Sequence, residues 1–239
     1  MKANEFIDIL KKGVVDFYKN IYLAIAGLIL WIFIFAFSKL SVAVNHQLNN
    51  TAYLIAWLVL FALVSLAAMS FILSGLIQTS KEITKNKKAK VKDFLSGAKK
   101  FWLGNFLILI LIALVGIIIW GAAHYIAMYG GIFLNLNVNA ALVAYILIYF
   151  VGLIGVLIFI TLSNFCLVVY NLKLKESIRT SIQLVKKEYP AVLTLNILIF
   201  IILFLLNKIN GIWIDILEYV ILIPLFVMIL TKFVIAAEK

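Results

Sequence analysis

Over most of this chain the apolar residues neither alternate with polar ones nor form one-sided stripes. They run on for about 20 positions at a time, as in NFLILILIALVGIIIW. A bilayer's hydrocarbon core is about 30 Å thick and a helix rises about 1.5 Å per residue, so such runs are long enough to cross it. Strands of a membrane barrel alternate with period two, whereas these runs are apolar on every side, so helices are predicted. Six spans are expected, near 21–44, 52–77, 102–128, 140–170, 191–207 and 212–235. Together they form a single polytopic membrane domain, 1–239, and leave no stretch for a soluble catalytic domain.

Three stretches carry a different pattern, apolar at helical spacing on one face and charged on the other. Near 4–19, Phe6, Ile9, Leu10, Val14, Phe17 and Ile21 form the stripe. Near 90–101 it is Val91, Phe94, Leu95, Ala98, Phe101 and Trp102, with Lys90, Lys92, Asp93, Lys99 and Lys100 opposite. Near 173–188 it is Leu174, Ile178, Ile182, Val185 and Tyr189, with Lys175, Arg179, Gln183 and Lys186 elsewhere on the helix. Each is expected to lie at the membrane interface, lysine stems reaching toward headgroups.

Each also precedes two spans, so the chain reads as three copies of one unit, an interfacial helix followed by a transmembrane hairpin. The copies align at Asp8-Ile9-Leu10, Asp93-Phe94-Leu95 and Glu176-Ser177-Ile178, with Asn20, Asn105 and Glu188 twelve positions after each acid. Glu5, Asp8 and Asp16 ahead of the first span, together with that span's length, argue against a cleaved leader, so the mature protein is expected to keep its N-terminus.

Charge sets the expected orientation. The segment SKEITKNKKAKVKDFLSGAKKFW, residues 80–102, alone holds eight of the twenty-one basic residues. Four more precede the first span, five lie between the fourth and fifth, and two are near the C-terminal end, leaving only Lys39 and Lys208 toward the other side. Basic residues are retained in the cytoplasm, so both termini and the two long connections are predicted inside, in a multi-pass protein of the cell membrane. Tyr18, Tyr22, Trp102, Tyr170 and Tyr189 fall at the expected inner boundaries, and Tyr53, Trp57, Tyr125, Tyr129 and Trp213 at the outer ones.

Composition agrees with this reading and narrows the chemistry. Apolar residues make up 66% of the chain. Cys166 is the sole cysteine, which excludes an internal disulfide and leaves packing as its expected role. Arg179 is the sole arginine, against a site built from several guanidinium clamps.

No ionisable residue falls near the middle of a span, where proton or ion coupling usually places one. Small residues, Ala67, Ser70 and Ser74 in the second span and Ala141, Ala144, Gly152 and Gly155 in the fourth, read as helix contacts. Ser163, Asn164, Thr194 and Asn196 are expected in interhelical or local backbone hydrogen bonds. Pro190 opens the fifth span, and Pro224 predicts a kink in the sixth. Asp215 and Glu218 share one face and are expected to pair with Lys208 or face water.

His46 and His124 lie on the same predicted side as those carboxylates, but no spacing unites them, so no metal site is expected. Asn49-Asn50-Thr51 is a glycosylation triplet on that side. Phosphate loops, dinucleotide-binding glycines, paired phosphatidyl-transferase aspartates and a serine triad are all missing from the sequence, so neither an enzyme nor a cofactor is predicted. The basic clusters lie where a multispan protein needs them and carry no base-reading motif, so nucleic acid is not an expected partner.

The stretches GLIQTSKEITKNKKAKVKDFLSGAKKFWLGNFLI and VVYNLKLKESIRTSIQLVKKEYPAVLTL resemble uncharacterised six-span integral membrane families of bacteria and archaea. Those families are related to the membrane domain that precedes the catalytic domain of some glycerophosphodiester phosphodiesterases. The resemblance implies the all-helical fold. It implies no activity, because the phosphodiesterase barrel with its acidic metal ligands has no counterpart in this chain.

The expected function is therefore that of a non-catalytic membrane protein whose inner face binds anionic lipid, a protein partner or a second copy of itself. The headgroup candidates are Lys85, Lys87, Lys88, Lys90, Lys92, Lys99, Lys100, Lys173, Lys175, Arg179, Lys186 and Lys187. The alternative is a permease subunit that resembles the membrane component of ABC-2 type exporters and works with a separate ATPase.

Overall fold

A computed structural model describes residues 1, 3–47, 51–86, 88–133, 138–152, 155, 158–206, 208, 209 and 211–237. Lys2, Lys87, Lys239 and the asparagines of the glycosylation triplet fall outside this set, as do the side chains of His46, Ala141 and Ala144. All regular structure among the described residues is helical. Among the described residues five helices are long and apolar enough to cross a membrane: Leu23–Val44, Ala52–Asn86, Val91–Ile126, Tyr189–Leu206 and Ile212–Ala237.

Helix α1 (Ala3–Lys19) is amphipathic and ends where the Asn20 amide donates to the Asp16 carbonyl oxygen, 2.8 Å away. A short turn then leads into α2 (Leu23–Gln47). The next two helices, α3 (Thr51–Asn86) and α4 (Val91–Phe133), are the longest and form the most extensive pairing in the molecule. Small residues allow their close approach. A Cβ on Gly75 would lie 2.6 Å from Phe94 Cδ2, and one on Gly97 would collide with the Gln78 side chain.

The second interfacial helix is not a separate element. Residues 91–101 continue straight into the third span as one helix of 43 residues. Asn20 and Pro190 mark breaks in the first and third units, but no proline or terminating cap lies between Asp93 and Asn105. Asn105 turns its amide onto Ser74 Oγ of α3, 2.6 Å away, rather than onto its own backbone.

Within the expected fourth span the described residues include α5 (Val138–Gly152), α6 (Ile158–Thr161) and α7 (Ser163–Val169). Gly152 packs on α4, where a Cβ would sit 2.9 Å from Ile119 Cγ2, while a Cβ on Gly155 would meet nothing within 4 Å. Asn171, at φ 55°, stops α7 in the left-handed conformation that asparagine tolerates, and the Leu172 N–H closes the end on the Leu167 carbonyl oxygen.

Helices α8 (Leu174–Lys187) and α9 (Tyr189–Leu206) follow, separated only at Glu188. The last span combines α10 (Ile212–Ile216), a π-helical segment Leu217–Leu222 and α11 (Ile223–Ala237). The π segment ends just before Pro224, so the irregularity expected there takes the form of a wider turn. Gly27 of α2 packs directly against this turn, where a Cβ would clash with the Tyr219 carbonyl oxygen and lie 2.9 Å from Val220 Cα.

The core is concentrated toward one end. Leu76, Ile77, Ile83, Ile108, Leu162, Val168, Val185, Met228, Phe233 and Val234 are fully enclosed there. This is also the end where Tyr22 meets Ala89, Lys81 meets Val168 and Tyr170 meets Val234 through hydrogen bonds.

Candidate functional site: the basic end of the bundle

The polar chemistry collects at this basic end. Helix α1 lies on α11, with Gly13 so close to Ile229 that a Cβ would be 2.6 Å from its Cγ1. Phe6, Ile9, Leu10 and Phe17 face the protein core, whereas Val14, Val15 and Ile21 remain exposed. In α8 the buried face includes Ser177 and Ser181, and Ser181 Oγ donates to the Phe159 carbonyl oxygen at 2.8 Å. Along 91–101, Gly97, Ala98 and Phe101 are buried while Val91 and Leu95 are exposed. The three amphipathic stretches thus spend much of their apolar face on the protein, leaving a narrower strip for lipid than the sequence pattern alone suggests.

The aligned acids have distinct but readable roles. Asp93 accepts the Lys90 N–H at 2.7 Å and Glu176 accepts the Lys173 N–H at 3.2 Å, so both cap the start of their helices. Asp8 lies within α1 and pairs with exposed Lys12 one turn on, at 2.6 Å. The residues aligned twelve positions later diverge, since Asn20 closes α1, Asn105 bridges to α3 and Glu188 accepts a bond from the α-amino group of Met1.

Carboxylates and ammonium groups at this end are treated differently by the fold. Asp16 is paired with Lys232 and Glu188 with Met1, both largely out of solvent, and Glu82 accepts from Gln78 and Asn86. Among the basic residues, Lys85, Lys88, Lys90, Lys92, Lys99, Lys100, Lys173, Lys175, Arg179, Lys186 and Lys187 are all exposed. Lys187 Nζ donates to the Ala237 carbonyl oxygen and Lys100 lies 5.1 Å from the Phe101 ring centre. The remaining nine enter no salt bridge among the described residues. Lys87, the twelfth candidate, lies outside those residues.

Asp16 and Glu188 are thus folded inward, whereas Asp8 and Glu176 stay exposed but partnered, and the exposed basic side chains outnumber the exposed acids at this end. In water such a field attracts anions over about a Debye length, roughly 8 Å at physiological salt.

No family model, curated protein or solved structure matches this chain. The case for the basic end therefore rests on its own geometry.

Asp215, Glu218, Lys208 and His124 lie toward the opposite end. Asp215 is exposed, and no ion pair among the described residues joins it or Glu218 to Lys208, which instead lies 5.1 Å from the Phe204 ring centre. His124 stacks on Trp120 at 5.8 Å and meets the edge of Tyr145 at 6.3 Å. No group of three or more histidine, cysteine or acidic side chains among the described residues is placed to hold a metal.

Two features of the basic end escape the sequence pattern. The Asp16–Lys232 pair joins residues 216 positions apart, and only the tertiary fold brings them together. An apolar groove bordered by Lys90 forms where the start of α2 meets the α3–α4 junction.

Proposed function

We propose that this is a six-span, non-catalytic protein of the cell membrane, with both termini in the cytoplasm and a basic inner face that binds anionic lipid headgroups. The observation that carries this reading is the asymmetric use of charge. Asp8, Asp16, Glu82, Asp93, Glu176 and Glu188 have partners within the fold, while the eleven exposed lysine and arginine candidates have no carboxylate partner among the described residues.

An anionic leaflet supplies that missing charge, at about 1 kcal/mol for each basic residue near the surface. On this reading the fourth span is completed by α5, α6 and α7 in series, and three helical hairpins make up the domain. The resemblance to the six-span families is consistent with the same architecture.

The test is lipid retention. The full chain is purified in detergent from membranes containing both zwitterionic and anionic lipids, and the retained headgroups are counted. Changing Lys85, Lys87, Lys88 and Lys90 to Gln is expected to lower the anionic share. An unchanged share would show that these lysines are merely solvated. Co-purification of an ATPase with the chain would instead favour the permease subunit.

A further inference from the structure

The groove at the start of α2 has a volume of about 360 Å³, within the range of about 300–1,000 Å³ common for small-ligand sites. Ile25, Ala26 and Ile29 of α2 form one wall, and Val91 and Phe94 of α4 contribute to the other. Its polar lining groups other than Lys90 have internal partners. The Tyr22 hydroxyl donates to the Ala89 carbonyl oxygen at 3.2 Å, and the Thr79 hydroxyl donates to the Gly75 carbonyl oxygen at 2.7 Å. With those hydrogen bonds made inside the protein, the interior of the groove is suited to hydrocarbon rather than to a polar ligand.

Position and charge select the occupant. Two of the apolar helices begin at Leu23 and Val91, and the latter opens with Lys92, Asp93, Lys99 and Lys100, so the Tyr22–Lys90 rim lies at the charged ends of both helices. Ile25 and Ile29 are 59% and 54% exposed, so the groove is open along the exposed side of α2. At its rim Lys90 is exposed, with exposed Lys88 and Lys92 beside it in sequence. The nearest acid in sequence, Asp93, is occupied by the Lys90 N–H.

We propose that this groove is a specific site for one anionic phospholipid of the leaflet at the basic end, with a hydrocarbon tail along Ala26, Ile29 and Phe94 and the phosphate at Lys90. This inference rests on the proposed function of the basic face and goes beyond it, because a diffuse electrostatic surface needs no groove.

Native mass spectrometry of the detergent-solubilised full chain, titrated with dioleoyl phosphatidylglycerol or dioleoyl phosphatidylcholine, reads the first bound lipid. The wild type is expected to take up phosphatidylglycerol at the lower concentration. Lys90→Gln lowers that first affinity about fivefold, the effect of one interfacial lysine. Ile29→Trp, at an exposed wall position, fills the groove and removes the first site while leaving Lys90 in place. Lys186→Gln, remote from the groove, leaves it unchanged.

A preference for phosphatidylglycerol that survives both Lys90→Gln and Ile29→Trp overturns the groove and leaves the basic-face reading standing. Equal uptake of the two lipids by the wild type overturns both.

Discussion

The Asp16 carboxylate and the Lys232 ammonium group meet at 2.5 Å with side chains only 14% and 8% exposed, fastening the first amphipathic helix to the last span. Two such charges out of water hold each other in place, and removing one strands the other. Asp16→Ala is expected to destabilise the protein by about 3–5 kcal/mol, measured by denaturant unfolding in detergent. The double change Asp16→Leu with Lys232→Met recovers most of the loss, because it removes both buried charges together. A single variant as stable as the wild type would mean that α1 is not anchored through this pair.

The α3–α4 contact predicts a difference between glycines. Gly97→Leu forces a side chain into Gln78 and Gly75→Leu forces one into the Phe94 ring, and each is expected to cost about 1–3 kcal/mol. A Cβ on Gly121 meets nothing within 4 Å, so Gly121→Leu should leave the unfolding midpoint close to that of the wild type. Comparable losses at all three positions would indicate a different packing of the two helices.

Orientation is tested by single cysteines. Lys88→Cys and Lys175→Cys are expected to be protected from an impermeant thiol reagent applied outside intact cells, whereas Lys208→Cys and cysteines at 48 and 134 are expected to react. The native Cys166 is buried, which keeps the background low. Labelling of Lys88→Cys but not Lys208→Cys would invert the proposed topology.

The apolar runs and amphipathic stripes made the helical class and the long apolar helices readable, because period and length are local properties of the chain. Pro190 was equally local, marking a helix start through its missing donor, whereas Asp93 and Glu176 were aligned as repeat positions and their capping bonds came only with the structure. Less readable was what each amphipathic face touches. Gly13, Ser177 and Ser181 lie on buried faces because small residues let helices approach, but in the sequence they look like gaps in a hydrophobic stripe. The continuity of α4 through Asn105 was also hidden, because its decisive contact is with Ser74, 31 positions away. Lys90 stood out by charge alone, but the groove beside it depends on Tyr22 reaching Ala89 across 67 residues.

The most direct measurement of the account as a whole is thermal unfolding of the full chain in nanodiscs of phosphatidylcholine alone and of phosphatidylcholine mixed with phosphatidylglycerol. The wild type is expected to unfold at a higher temperature in the mixed bilayer. A variant carrying Gln in place of Lys85, Lys88, Lys90, Lys92, Lys99 and Lys100 is expected to lose most of that gain, and high salt should reduce it in the wild type. Equal unfolding temperatures for the wild type in the two bilayers would contradict the assignment of the basic end as an anionic-lipid-binding face.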